Sequence, residues 1–93
     1  MDDKVIDSLI KELKDEGIPP YCPNTVLISY IYQGNAALER YVENIDYEKD
    51  YTARDLLKNY VWYSFNKASN EFFVNYGDIL LSWQFSKVGE SSD

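Results

Sequence analysis

From Leu56 to Tyr76 the apolar residues return at helical spacing (Leu56, Leu57, Tyr60, Val61, Phe65, Ala68, Phe72, Tyr76), and neither proline nor glycine interrupts them before Gly77. A run with that period and length is a helix, and it decides what the rest of the chain must pack around. Within it lies "YVWYSF", Tyr60 to Phe65. A rotation of about 100° per residue spreads these rings around most of the helix circumference, more than one core face can cover. The spacing predicts one long central helix over about 53–75. Thr52 with Asp55 three residues on resembles a capping box, and Tyr51 against Leu56 would staple the first turn. Asp78 after Gly77 starts a short C-terminal helix, "DILLSWQFSK", and within the polar "VGESSD" that follows, residues 89–93 are expected as a flexible tail.

Upstream, Val5, Ile6, Leu9, Ile10 and Leu13 form one amphipathic stripe, with Asp2 or Asp3 as N-cap and Lys4, Lys11 and Lys14 on other faces. "EGIPP" ends that helix: Gly17 suits a left-handed position, Ile18 folds back on Leu13, and Pro19-Pro20 forbid continuation. A second start follows, with Asn24 as N-cap or Pro23 at the first helical position. Leu27, Tyr30, Ile31, Gly34, Leu38, Tyr41, Val42 and Ile45 predict a long helix reaching to about Ile45. Gly34, beside Ala36 and Ala37, marks either a close approach of another backbone or a local kink. No segment alternates with a period of two. The expected fold is all-α, a small bundle of about four helices in one domain over 1–88.

The chain has 93 residues, which is room for one core and no second domain. With 45% hydrophobic and 16% aromatic residues it is globular rather than disordered. Sixteen acidic against nine basic residues give a net charge of −7, which repels nucleic acid and anionic membrane and favours protein partners. The acidic start "MDDKVIDSLI" reads as neither signal peptide nor membrane span, and the single Cys22 forms no internal disulfide, so a cytosolic setting is expected.

Catalytic chemistry finds little support. Histidine is absent, which removes Ser-His-Asp and Cys-His arrangements together with the commonest metal ligand. Cys22 has no cationic neighbour in sequence to activate it and reads as a packing thiol. "DYEKDYTARDLL" places Asp46, Glu48 and Asp50 like a calcium loop. However, Tyr51 stands where the turn needs glycine and Leu57 where a bidentate carboxylate belongs. Glu39 and Glu43 lack the matching pair that a di-metal bundle requires. The chain is read as a non-enzyme without cofactor or metal.

Two readings of the aromatic helix follow. In the first, one stripe faces the chain's own helices and the other side, rich in Tyr and Trp, meets a neighbouring subunit. The residues assigned to that contact are Tyr60, Trp62, Tyr63, Phe73 and Tyr76, with Gly34 and Ala37 as a close-packing site. In the second, the helix is surrounded by its own chain and every ring is core.

The segment "ARDLLKNYVWYSFNKASNEFFVNYGDILLSWQF", Ala53 to Phe85, resembles the C-terminal half of small head-tail connector proteins of long-tailed bacteriophages, also called head-completion or adaptor proteins. The similarity lies in Leu56-Leu57, in "WYSFNKASNEFF" against a "RYxxNxA" run followed by an "EFF" segment, and in "ILLSWQF" against a closing "ILxLQ" helix. The short helix followed by "LISYIYQGNAALERYV" is similar in layout to that family's N-terminal half. The resemblance implies a subunit of the virion neck, assembled from the host cytoplasm into a ring, twelvefold in the virion, below the portal protein. It also implies a downstream neck or tail protein as partner and a lumen that DNA traverses without specific binding. A negative lumen suits that passage because it does not grip phosphates. The alternatives are a small acidic inhibitor that mimics DNA, which the interleaved Lys and Arg residues weaken, and a helical host adaptor.

Overall fold

The computed structural model describes residues 1–91, with side chains through Lys87, as four helices in chain order. α1 spans Asp3–Asp15, α2 Asn24–Leu38, α3 Tyr51–Phe65 and α4 Ser69–Ser91. The described residues form no strand, and each helix packs on the next, with α3 between α2 and α4. The all-α bundle read from the sequence is the fold; two of its expected long helices are not.

α1 follows its sequence closely. The Asp2 carboxylate accepts the Lys4 N–H at 2.8 Å, and Val5, Ile6, Leu9, Ile10 and Leu13 are buried. At its end the Ile18 N–H reaches the Leu13 carbonyl at 3.0 Å and the Gly17 N–H the Lys14 carbonyl at 3.3 Å, a Schellman closure with Gly17 at φ 132°. Ile18 is buried on the α1 face it folds back to. An ion network then ties α1 to α3. The Arg54 guanidinium bonds both Glu12 oxygens and the Ser8 hydroxyl, while Lys58 Nζ bridges Glu12 at 3.2 Å and Glu16 at 2.7 Å. These hydrogen bonds, from Arg54 first, outweigh burial and hold the Glu12 carboxyl down to about 2.

α2 starts between the two expected registers, with Asn24 as its first helical residue. Pro23 occupies the N-cap position, and the Asn24 side chain instead accepts from Lys14 Nζ at 2.7 Å, binding the start of α2 to the end of α1. The helix stops at Leu38 rather than near Ile45. Beyond it the Arg40 and Tyr41 N–H groups bond only three residues back, and Asn44 takes φ 55°. The reason is tertiary. Ending α2 there brings Tyr47 into the core, where its hydroxyl donates to Asn35 Oδ1 at 2.7 Å. Tyr41, Val42 and Ile45 still pack against the core, from the loop at 39–50 rather than from a helix.

The central helix expected over 53–75 is two helices. The α3 N-cap is Asp50, whose carboxylate accepts the Ala53 N–H at 3.1 Å, so Thr52 is not the cap. After Phe65 the chain reverses: Lys67 takes φ 57°, and the Ala68 and Lys67 N–H groups reach back to the Tyr63 and Ser64 carbonyls at 2.7 and 3.0 Å. This is a second Schellman closure, made by lysine where glycine is usual. The reversal folds α4 back along α3 and buries Phe72, Leu80 and Trp83. Conversely, Gly77 and Asp78, expected to end one helix and begin another, lie inside the 23-residue α4. α4 continues through the expected boundary at 88, and residues 92 and 93 of the expected tail lie outside the described residues.

Candidate interaction surface

Phe72 is fully buried at the centre of the α3–α4 hairpin. Tyr60 and Tyr63 from α3 meet it edge-on at 5.5 and 5.9 Å between ring centroids, Phe73 at 5.2 Å, and Tyr76 stacks on it at 4.9 Å. Such ring pairs each contribute roughly 0.5–1.5 kcal/mol beyond burial. Four of the residues assigned to a subunit contact, Tyr60, Tyr63, Phe73 and Tyr76, are thus gathered into one intrachain cluster, and Tyr60 is buried. Trp62 does not join them: it lies half-buried beside Gly17, its ring 3.4 Å from where a Cβ on that glycine would stand. It fills the corner between α1 and α3.

Gly34 and Ala37 are buried under α3 in the same chain. What approaches Gly34 is side chain, not backbone: a Cβ there would stand 2.6 Å from Leu57 Cδ1 and 2.8 Å from Tyr60 Cδ1. Gly34, Ala37 and Tyr60 therefore have no surface to offer a neighbour. Of the rings assigned to the contact only Tyr60 is buried; Trp62, Tyr63, Phe73 and Tyr76 are partly buried.

An apolar face without a partner does exist, on α4. Val74, Leu81 and Phe85 are 82%, 48% and 70% exposed. Spaced by seven and four residues, they fall within about 40° of one another around the helix, opposite Phe72, Leu80 and Trp83. α4 is apolar on two opposite sides, one closing the hairpin and one facing outward. Only Glu71 and Asp78 carry charge along that outer stripe as far as Lys87, and Gly77 leaves it open, with nothing within 4 Å of an added Cβ. Sequence reasoning missed this face because Gly77 was taken as a boundary, which cut the period between Val74 and Leu81.

One carboxylate holds α4 in register. Asp50 Oδ2 accepts from Trp83 Nε1 at 2.8 Å and from Lys87 Nζ at 3.0 Å, while its other oxygen caps α3. Burial pushes the Asp50 carboxyl up, but the bonds from Trp83, Ala53 and Lys87, with the Lys87 charge, outweigh it and hold it below its ordinary value. Gln84 Nε2 adds a bond to the Tyr41 carbonyl at 3.1 Å. The outer stripe is therefore presented by a helix fixed at both ends, through the aromatic cluster and through Asp50.

Between the 39–50 loop and the end of α4 lies an open cleft of about 820 Å³, with Glu39, Glu43 and Asp46 interleaved with Arg40, Lys49 and Lys87. Its charges are mixed, and no nucleophile stands beside a base there. Among the described residues no group of three or more His, Cys, Asp or Glu is placed to hold a metal ion, and no helix is long and apolar enough to cross a membrane. Compared with known proteins, the chain matches no family model, no curated protein and no solved structure.

Proposed function

We propose that this protein is a non-enzymatic structural subunit that works by self-association, as a head-tail connector forming a ring between the portal and the downstream neck or tail protein of a long-tailed phage. The observation that carries the reading is the second apolar face of α4. Val74, Leu81 and Phe85 stand in solvent on a helix that the hairpin cluster and Asp50 hold in place. Isolated exposed apolar residues are ordinary, but three on one stripe of one anchored helix mark a surface that packs against another chain. The resemblance of Ala53 to Phe85 to connector proteins gives the assembly its form, and the acidic charge is compatible with a channel that DNA crosses. The ring contact proceeds through α4, and Trp62 belongs to the fold.

Negative-stain microscopy and mass photometry of the purified chain, alone and mixed with the portal protein of the same phage, test the reading. Closed rings, free or seated on the portal, are expected. A chain that stays monomeric and ignores the portal at every salt concentration would refute it.

A further inference from the structure

α2 carries a property unusual in a chain of this charge: none of its fifteen residues is ionisable at neutral pH as Asp, Glu, Lys or Arg. Its outer side exposes Thr25, Val26, Ser29, Tyr32, Gln33 and Ala36, opposite the buried Leu27, Ile31, Gly34 and Leu38. Val26 and Tyr32 are 37% and 45% exposed, which leaves apolar area there as well. α2 and α4 both pack on α3, and each turns its outer face away from it. The molecule thus presents two unlike faces on different flanks, that of α2 without charge and that of α4 with Glu71 and Asp78.

Resting on the self-assembly reading above, we infer that the outer stripe of α4 docks on the outer face of α2 of the next copy, a head-to-tail contact that repeats around the ring. Charge argues for this occupant. Two α4 stripes facing each other bring Glu71 and Asp78 of both copies into one contact, where like charges disfavour pairing. The α2 face offers no charge to repel them, and its Thr25, Ser29 and Gln33 side chains supply donors that a carboxylate can use. Length agrees as well: the stripe from Val74 to Phe85 runs about 16 Å and α2 about 22 Å at 1.5 Å per residue. A contact between unlike faces leaves one of each free on every pair, so it propagates and closes a ring where the rotation between copies permits; a like-to-like contact stops at two.

Two variants separate these cases. Leu81→Lys with Phe85→Lys blocks α4, and Ser29→Glu with Ala36→Glu blocks α2. All four positions are exposed and helical, and circular dichroism confirms that each variant folds. Under conditions where the parent chain assembles, each variant alone is expected to sediment as a monomer, and an equimolar mixture to form a dimer and nothing larger. Dimers formed by the α2-blocked variant alone would show that α4 pairs with itself and overturn the inference. Parent-like assembly by either variant would also overturn it while leaving self-assembly intact. A parent chain that never assembles, with or without portal, would remove the self-assembly reading and this inference with it.

Discussion

Glu12 and Gly34 show how single residues fix the spacing between helices. Glu12 joins α1 to α3 through Arg54 and Lys58, and its carboxyl is held at about 2 against an ordinary 4.5. A depressed acid of this kind contributes its stability above the unfolded value and loses it as pH falls toward the folded one. The urea midpoint should therefore decline as pH drops from about 4.5 to about 2, and Glu12→Gln should flatten that part of the profile while lowering stability at neutral pH. An unchanged profile would mean that solvent screens the network completely, as it does many exposed pairs. Gly34 acts by what it lacks. Alanine gains roughly 1 kcal/mol of helix propensity, but overpacking costs about 1–3 kcal/mol, and the ring carbon of Tyr60 cannot swing aside as a leucine methyl can. Gly34→Ala should lower unfolding free energy by about 1 kcal/mol in chemical denaturation. A gain would show that α2 and α3 are packed less tightly there.

At the scale of the element, α1 was legible because its signals are local: a capping acid, one apolar stripe and a Gly-Ile-Pro-Pro stop. α2 and the α3–α4 hairpin were legible in their apolar positions but not in their breaks. Nothing between Leu38 and Ile45 forbids a helix; the helix ends because burying Tyr47 on Asn35 favours a loop, and such a long-range contact has no local signature. The reversal after Phe65 is written only as a polar interval, with Asn66, Lys67, Ser69, Asn70 and Glu71 around one alanine. No proline or glycine marks it. Holding Lys67 at φ 57° costs roughly 1–2 kcal/mol for an L-residue, part of which glycine returns through its larger unfolded-state freedom. Lys67→Gly should therefore raise stability by about 0.5–1 kcal/mol in urea titration. A loss of that size, as expected for glycine inside a helix, would restore the uninterrupted central helix. The candidate site shared the same obscurity: the rings of "YVWYSF" advertised themselves, but Tyr60 and Tyr63 close the hairpin and Trp62 packs beside Gly17, whereas the outward stripe becomes visible only once Gly77 is placed inside a helix.

For the whole molecule, the sign of a salt effect distinguishes a subunit from an inhibitor. Copies carrying a net charge of −7 repel one another, so the proposed contact through Val74, Leu81 and Phe85 would form against long-range electrostatics. Raising ionic strength from about 0.1 M to 1 M shortens the screening length from about 10 Å to 3 Å, which removes that repulsion and leaves apolar burial nearly untouched. Assembly of this chain should strengthen across that range in sedimentation velocity. An acidic surface that mimics DNA behaves in the opposite way, because its attraction to a basic partner is what the added ions screen. Weakened self-association at high salt would mean that charged groups rather than the α4 stripe hold the copies together. Salt-sensitive capture of basic DNA-binding proteins by a monomeric chain would identify the acidic faces, not α4, as the working surface.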